Sequence, residues 1–313
     1  MAKKKPTKKT LPPHVMPEIS DWPIYKLHQD RRNLIEEMDA FTIDRLQKKY
    51  GGELSSVIAK AIYMERIRIK EDPWKVDPPD ERTFWKKVQS KLKEKSLDRS
   101  EEEAKAANLQ ILGKITNRYS EEVVGTFKIK TFLFARKFLT IFFSRLLNTS
   151  QGMLFRNRYQ LYDRLRAVGE LDTIRALMKK GTVVVLPTHS SNLDSILVGY
   201  VMDSVIGLPS FSYGAGLNLY NTGYTAYYMN RIGAYRVDRR KKNPIYLEVL
   251  KSFSNLAIQR GTNSLFFLGG TRSRSGAIEN RLKKGLLGTV VEAQRAMYQK
   301  GEEKKVLASK TAW

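Results

Sequence analysis

Two short apolar runs, VVVL at 183–186 and SLFFL at 264–268, each follow a helically spaced stretch that closes on a glycine. The preceding segments, ALMKKG ending at Gly181 and AIQRG ending at Gly261, read as helix C-termini, where glycine most easily turns the backbone out of a helix. A run that is apolar at successive positions has to be covered on both faces if it is a strand. Alternation of such strands with helices builds a sheet with helices packed over it, so the pattern beyond about residue 150 implies an α/β domain. Residues 181–230 contain no Lys or Arg, in a chain that has 56 of them against 32 Asp plus Glu. That stretch is where the centre of the sheet and its site are expected.

The sequence before residue 150 is organised differently. Over 24–70 the apolar residues Leu34, Met38, Phe41, Leu46, Val57, Ile58, Ile62 and Ile69 recur at threes and fours, with Gly51-Gly52 as a break between helices. DPWKVDPPDE (72–81) interrupts the helices, because each proline lacks a donor and restricts the residue before it. Helices resume over 82–97 and 100–117, the latter opened by SEEE (100–103), an N-cap serine followed by acidic first-turn residues. Residues 1–20, beginning MAKKKPTKKT, lack the apolar segment of a secretory signal and read as a basic, disordered leader, with a membrane or nucleic-acid arm as the alternative. The expected organisation is a leader over 1–20, a helical region over 21–150 and an α/β domain over 151–313.

Within the helical region, KTFLFARKFLTIFFSRLLN (130–148) stands apart. Phe132, Ala135, Leu139, Phe142, Phe143 and Leu146 cover one wide face; Lys137, Thr140, Ser144 and Asn148 lie on the other, with Arg136 and Arg145 at its edges. A core helix and a helix lying among lipid headgroups both fit this pattern. No stretch of 18 or more residues is apolar and nearly free of charge, so a spanning helix is not expected. The formal charge of +24 predicts attraction to polyanions: nucleic acid, anionic headgroups or phosphorylated metabolites. The absence of cysteine excludes disulfides, thiolate nucleophiles and Cys-based metal sites.

Three segments could carry chemistry. In LPTHSSNLDSI (186–196), His189 follows the strand and Asp194 follows five residues later. Along a continuous helix that gap would turn the side chains about 140° apart. If His189 sits in the turn and the helix starts near Asn192, the Asp194 carboxylate can reach one ring nitrogen and leave the other free to take a proton. Taken alone, such a pair more often caps a turn and a helix N-terminus. In FFLGGTRSRSG (266–276), two glycines allow close approach of a ligand, while hydroxyls and guanidinium groups offer donors that suit a phosphate. A polar surface loop fits that segment equally well, and it is neither a P-loop nor a dinucleotide fingerprint. In RIGAYRVDRRKKN (231–243), a strand would put Arg236 and Asp238 on one face and Tyr235, Val237 and Arg239 on the other; by itself this is an ordinary edge strand.

The order of these segments resembles the phospholipid/glycerol acyltransferase family: H-x-x-x-x-D after a strand, a Gly-aromatic-Arg segment, then a strand running into G-T-R-S-R-S-G. The resemblance covers roughly residues 160–300, and LPSFSYGAGLNL (208–219) fits the segment between the first two motifs. It implies an acyltransferase-type mixed sheet flanked by helices and preceded by the mainly helical N-terminal region. It implies acyl transfer from acyl-CoA or acyl-carrier protein to glycerol 3-phosphate or 1-acylglycerol 3-phosphate. On that resemblance His189 is the general base on the acceptor hydroxyl, Asp194 orients it, and Arg272 binds the acceptor phosphate. Gly270, Thr271 and Ser273 line that site, and Arg236 and Arg239 add positive charge. Attack falls directly on the thioester, with no acyl-enzyme, metal or bound cofactor. The partners implied are the acyl donor, the phosphorylated acceptor and an anionic membrane surface, on the cytoplasmic face as a peripheral or monotopic protein; nucleic acid is not expected. The extended helical region leans toward glycerol 3-phosphate as acceptor. Two departures stand out. Gly269 occupies the place of the family's glutamate before G-T-R, and KKVLASKTAW ends the chain where a further apolar strand is expected, leaving the sheet incomplete. The competing expectations are a non-catalytic basic protein that binds membranes or nucleic acid, and an inactive, truncated acyltransferase.

Overall fold

The computed structural model describes residues 11–94, 100–147, 159–189, 191, 193–269 and 284–311. The helical region comprises α1 (Pro23–Gln29), α2 (Arg31–Tyr50), α3 (Leu54–Glu71), α4 (Glu81–Glu94), α5 (Glu101–Val123) and α6 (Ile129–Leu146). The break between α2 and α3 falls at Gly51, whose φ of 44° is costly for other residues. Helix α5 opens on a complete capping box: the Ser100 hydroxyl accepts from the Glu103 N–H and the Glu103 carboxylate accepts from the Ser100 N–H. It runs to Val123, past the expected end, because Ile115, Tyr119 and Val123 continue the apolar stripe on its buried face.

Next come α7 (Tyr159–Arg164), α8 (Leu171–Lys180), β1 (Gly181–Pro187), α9 (Asp194–Ser204), β2 (Ser212–Gly216), α10 (Gly223–Met229), β3 (Ala234–Val237), α11 (Pro244–Gln259), β4 (Ser264–Leu265), α12 (Lys284–Gln299) and β5 (Lys305–Thr311). The strands form one sheet in the order β3-β2-β4-β1-β5. The α/β class with flanking helices is as expected, and the mixed sheet narrows to a parallel one: every described strand pairing is parallel, since each strand is reached through a crossover that includes a helix. Val183 and Val185 pack on one face with Ile174 of α8 and Val198, Val201 and Met202 of α9. Val184 points to the other, among Ile258 of α11 and Val290 and Ala293 of α12. Both expected glycine stops are present for different reasons. Gly261 adopts φ 78°, whereas Gly181 is extended and any Cβ there would collide with the Lys305 carbonyl of β5.

Two sequence expectations change here. The stretch read as ending short of a last strand is itself β5, paired with β1 from Gly181↔Lys305 through Pro187↔Thr311. Residues 11–20 do not behave as a disordered leader. Leu11 and Val15 pack on the α8–α9 core, the Val15 N–H donates to the Gly207 carbonyl at 2.8 Å, and an Arg175 guanidinium N–H donates to the Pro13 carbonyl at 2.7 Å.

The helical region and the sheet share one core, in which Leu34, Met38, Ile58 and Ile115 meet Val249, Phe253 and Leu256 of α11. A buried polar network reinforces the join. Arg68 pairs with Glu65 at 2.7 Å, Glu81 at 2.6 Å and Asp77 at 3.2 Å. From the segment after β3, Arg240 reaches Asp77 at 2.5 Å and Asp238 at 2.8 Å, and Lys241 reaches Glu122 at 2.5 Å. The Asn243 side-chain amide donates to Glu65 and to the Tyr119 hydroxyl, both at 2.8 Å. Much of the basic run RRKKN is therefore structural.

Candidate active site

Parallel strands bring their C-terminal ends to one edge of the sheet, the usual place for ligands in open α/β folds. His189 lies there, two residues beyond β1, and Asp194 is the first residue of α9. The chain turns between them as the five-residue gap requires. His189 Nδ1 faces Asp194 Oδ2 at 3.4 Å, and each side chain is only 15% exposed. That separation is longer than a usual N–H···O bond. The same carboxylate oxygen accepts the Ser191 backbone N–H at 2.7 Å, so the acid is fixed by the turn as well as by its place at a helix N-terminus, where negative charge is favoured. Helix α9 is held in turn by α6 and α7: Ile196 and Leu197, with Leu193 just before the helix, pack against the cluster that contains Phe143 of α6 and Leu161 of α7.

The imidazole stacks on Phe267, with ring centroids 4.2 Å apart and planes 24° off parallel. Phe267 follows β4, in the strand expected from SLFFL; strand pairing ends at Leu265, although the Phe266 N–H still donates to the Val185 carbonyl at 3.2 Å. Neighbouring side chains take opposite faces, so Phe266 enters the α11–α12 core while Phe267 turns toward α8 and α9, under the histidine. Sequence reasoning placed both phenylalanines in a strand without connecting either to His189. Their alternation relative to Val184 and Val185 was the available signal.

Arg236 is in the edge strand β3. Through the register Ala234↔Tyr213↔Leu265↔Val185 it stands level with Pro187, three strands and roughly 14 Å from β1, on the face that carries Leu265 and Val185. Its guanidinium lies 4.7 Å over the Tyr220 ring, a cation–π arrangement. Among the described residues, its buried Nε and the buried Tyr220 hydroxyl have no hydrogen-bond partner. Burial pushes the Tyr220 phenol pKa up to about 12, against the smaller opposing pull of the Arg236 cation. Arg239, expected with Arg236 to add positive charge at the site, is exposed beyond the end of β3. Gly270, Thr271, Arg272 and Ser273 lie outside the described residues, whereas Gly269, at the place of the family's glutamate, is buried in the turn that precedes them. Among the described residues, no group of three or more His, Asp or Glu is arranged to hold a metal.

Residues 166–299, which include His189, Asp194 and Arg236, match the acyltransferase family model. This segment is an acyltransferase-family domain. The chain is also similar to proteins named glycerol-3-phosphate acyltransferase: it is 27% identical over 198 residues to that of Aeromonas hydrophila subsp. hydrophila, covering 62% of this chain and 22% of the relative. Against the one from Baumannia cicadellinicola subsp. Homalodisca coagulata it is 25% identical over 191 residues, covering 60% and 20%. A probable mitochondrial glycerol-3-phosphate acyltransferase of Caenorhabditis elegans is 33% identical over 119 residues, covering 36% and 16%. The chain spans about a fifth of the length of the curated relatives it matches. The family-model match over 166–299 and these relatives support the resemblance of the chain to the phospholipid/glycerol acyltransferase family.

Proposed function

We propose that the acyltransferase domain moves an acyl group from a thioester to a hydroxyl of a phosphorylated glycerol, with His189 as general base. The observation that carries this reading is the His189–Asp194 pair at the C-terminal edge of the sheet, 3.4 Å apart, with the carboxylate held by the Ser191 N–H. Asp194 keeps the proton on Nδ1, which leaves Nε2 as the acceptor. Nε2 takes the hydroxyl proton as the acceptor oxygen attacks the thioester carbonyl. When the tetrahedral centre collapses, the C–S bond breaks and the thiolate leaves, taking its proton from the imidazolium. An ester and a free thiol result, and the histidine returns neutral.

Phe267 stacked against the ring restricts its rotation, and so favours an orientation fit for attack. For the acceptor phosphate, the reading relies on Arg272 together with Gly270, Thr271 and Ser273, and on Arg236, whose buried Nε is an uncommitted donor on the His189 face. Arg239 would contribute only long-range charge. The names of the relatives favour glycerol 3-phosphate over 1-acylglycerol 3-phosphate as the acceptor. The donor is acyl-CoA or acyl-carrier protein.

Thiol release from palmitoyl-CoA and from palmitoyl-carrier protein, measured with each acceptor in the presence of vesicles, tests the reading. The expected result is release that requires glycerol 3-phosphate. Release driven equally by unphosphorylated glycerol would contradict the phosphate recognition.

A further inference from the structure

Helix α6 buries one side and exposes another, and both are apolar. Inward, Phe143 packs on Leu161 and Tyr200, the Thr140 hydroxyl accepts from the Tyr200 hydroxyl at 2.9 Å, and Arg136 pairs with Asp203 of α9 at 2.7 Å. Outward stand Leu133, Phe134, Phe138, Ile141, Phe142 and Leu146, each at least 37% exposed. The outer stripe is not a symptom of a loose helix, because the inner one is anchored by packing, a hydrogen bond and an ion pair. The aromatic surface continues onto α10. Phe134 stacks on Tyr228 with centroids 5.5 Å apart, and Tyr224 and Tyr227 are 85% and 48% exposed.

Charge selects the occupant. Lys130, Lys137 and Arg145 are exposed on α6, and Arg231 lies 3.9 Å over the Tyr227 ring. The sequence over 123–162 and again over 204–237 contains no Asp or Glu, although the chain holds 32 of them. An apolar and aromatic stripe with interspersed cations and no acids complements an anionic, partly apolar layer. That is the composition of a phospholipid headgroup boundary. No described helix is long and apolar enough to cross a membrane, so α6 would lie in the boundary plane.

We infer that the exposed face of α6, continued by Tyr224 and Tyr227 of α10, is a docking surface for an anionic phospholipid bilayer. The helices α6 and α9 run antiparallel: Arg136 meets Asp203 near the end of α9, Thr140 meets Tyr200 four residues further along α6, and Leu147 and Leu193, at the C-terminal end of α6 and the start of α9, share one cluster. The C-terminal end of the stripe therefore lies at the end of α9 that carries Asp194. Docking sets the lipid surface next to the His189 edge of the sheet. The inference stands on the surface alone, and its test uses no substrate, so its failure is separable from failure of the catalytic reading.

The experiment is co-sedimentation of the full chain with vesicles of phosphatidylcholine alone or mixed with phosphatidylglycerol, across salt concentrations. Wild type is compared with Phe138→Glu/Phe142→Glu and with Lys137→Gln/Arg145→Gln, after circular dichroism has shown that each is folded. The expected result is salt-sensitive binding to the anionic vesicles that falls by about tenfold for each phenylalanine replaced. The cation variant should lose its preference for the anionic vesicles. A Phe138→Trp variant should show a blue shift in emission on adding those vesicles, while Tyr63→Trp on α3 should not. Absence of binding at low salt, or binding unchanged in the double-glutamate variant, would overturn the inference. A concentration-dependent blue shift of the Phe138→Trp probe without vesicles would also overturn it, by making a second copy of the chain the occupant.

Discussion

Burial sets the protonation state of His28. Its side chain is enclosed at the start of the helical region, and desolvation, aided by the nearby Arg31 charge, lowers its pKa from 6.5 to about 4. Between those values the unfolded chain binds a proton that the native state excludes. Stability therefore rises with pH across that window and is lost as pH falls from 6.5 toward 4. At pH 5 the loss relative to pH 7 should be about 2 kcal/mol. Urea midpoints at both pH values, measured on wild type and His28→Gln so that other groups cancel, check this; an unchanged pH dependence in the variant would contradict it. His189 and His28 show what a residue alone does and does not disclose. His189 was legible because it follows an apolar run and precedes an acid at a gap that a turn can close. His28 sits in a helical pattern, and nothing in its immediate sequence marks the depth of its burial. Phe267 was legible as a strand residue, but its contact with His189 joins positions 78 residues apart and depends on the pairing of β1 with β4.

Local patterns predicted the elements where the pattern and the packing agree. The Ser100 cap, the Gly51 break and the apolar β1 belong to this group, since each is decided within a few residues. Helix α6 is different. Its expected apolar face divides, because Phe132, Leu139 and Phe143 turn inward while Phe142 and Leu146 are exposed. Thr140 joins the buried side once Tyr200 supplies a partner, an exchange that periodicity does not register. Strand β5 was missed because KVLASKT has only a weak alternation; its pairing with β1 supplies what its own sequence lacks. The junction of α3 and α4 with the segment after β3 rests on Arg68, which is buried between Glu65 and Glu81. Replacing it with methionine strands buried carboxylates, and Arg68→Met should cost about 3–5 kcal/mol in unfolding free energy. A loss below 1 kcal/mol, on the order of an exposed ion pair, would show that the network is not the join described here.

Across the whole molecule, the excess of positive charge has several fates. Part is neutralised inside, as Arg68, Arg240 and Lys241 show, and part lies on the acid-free surface of α6 and α10. Composition recorded the excess and could not apportion it, because internal pairs and surface cations count alike in a net charge. The same charge also concealed how closely the helical region joins the sheet, since RRKKN reads as a solvated run until its acidic partners in α3, α4 and α5 are in place. The fold class was legible from the alternation of strands and helices; the shared core of α2, α3, α5 and α11 was not, because it depends on contacts distant in sequence.

The central claim concerns proton transfer at His189, and one comparison tests it most directly: acceptor-dependent thiol release by wild type and by His189→Ala, with circular dichroism and urea midpoints to show that the fold is kept. The account predicts a fall in kcat of roughly a hundredfold to ten-thousandfold, the usual contribution of a positioned general base. Release by a folded His189→Ala protein at the wild-type rate would contradict it.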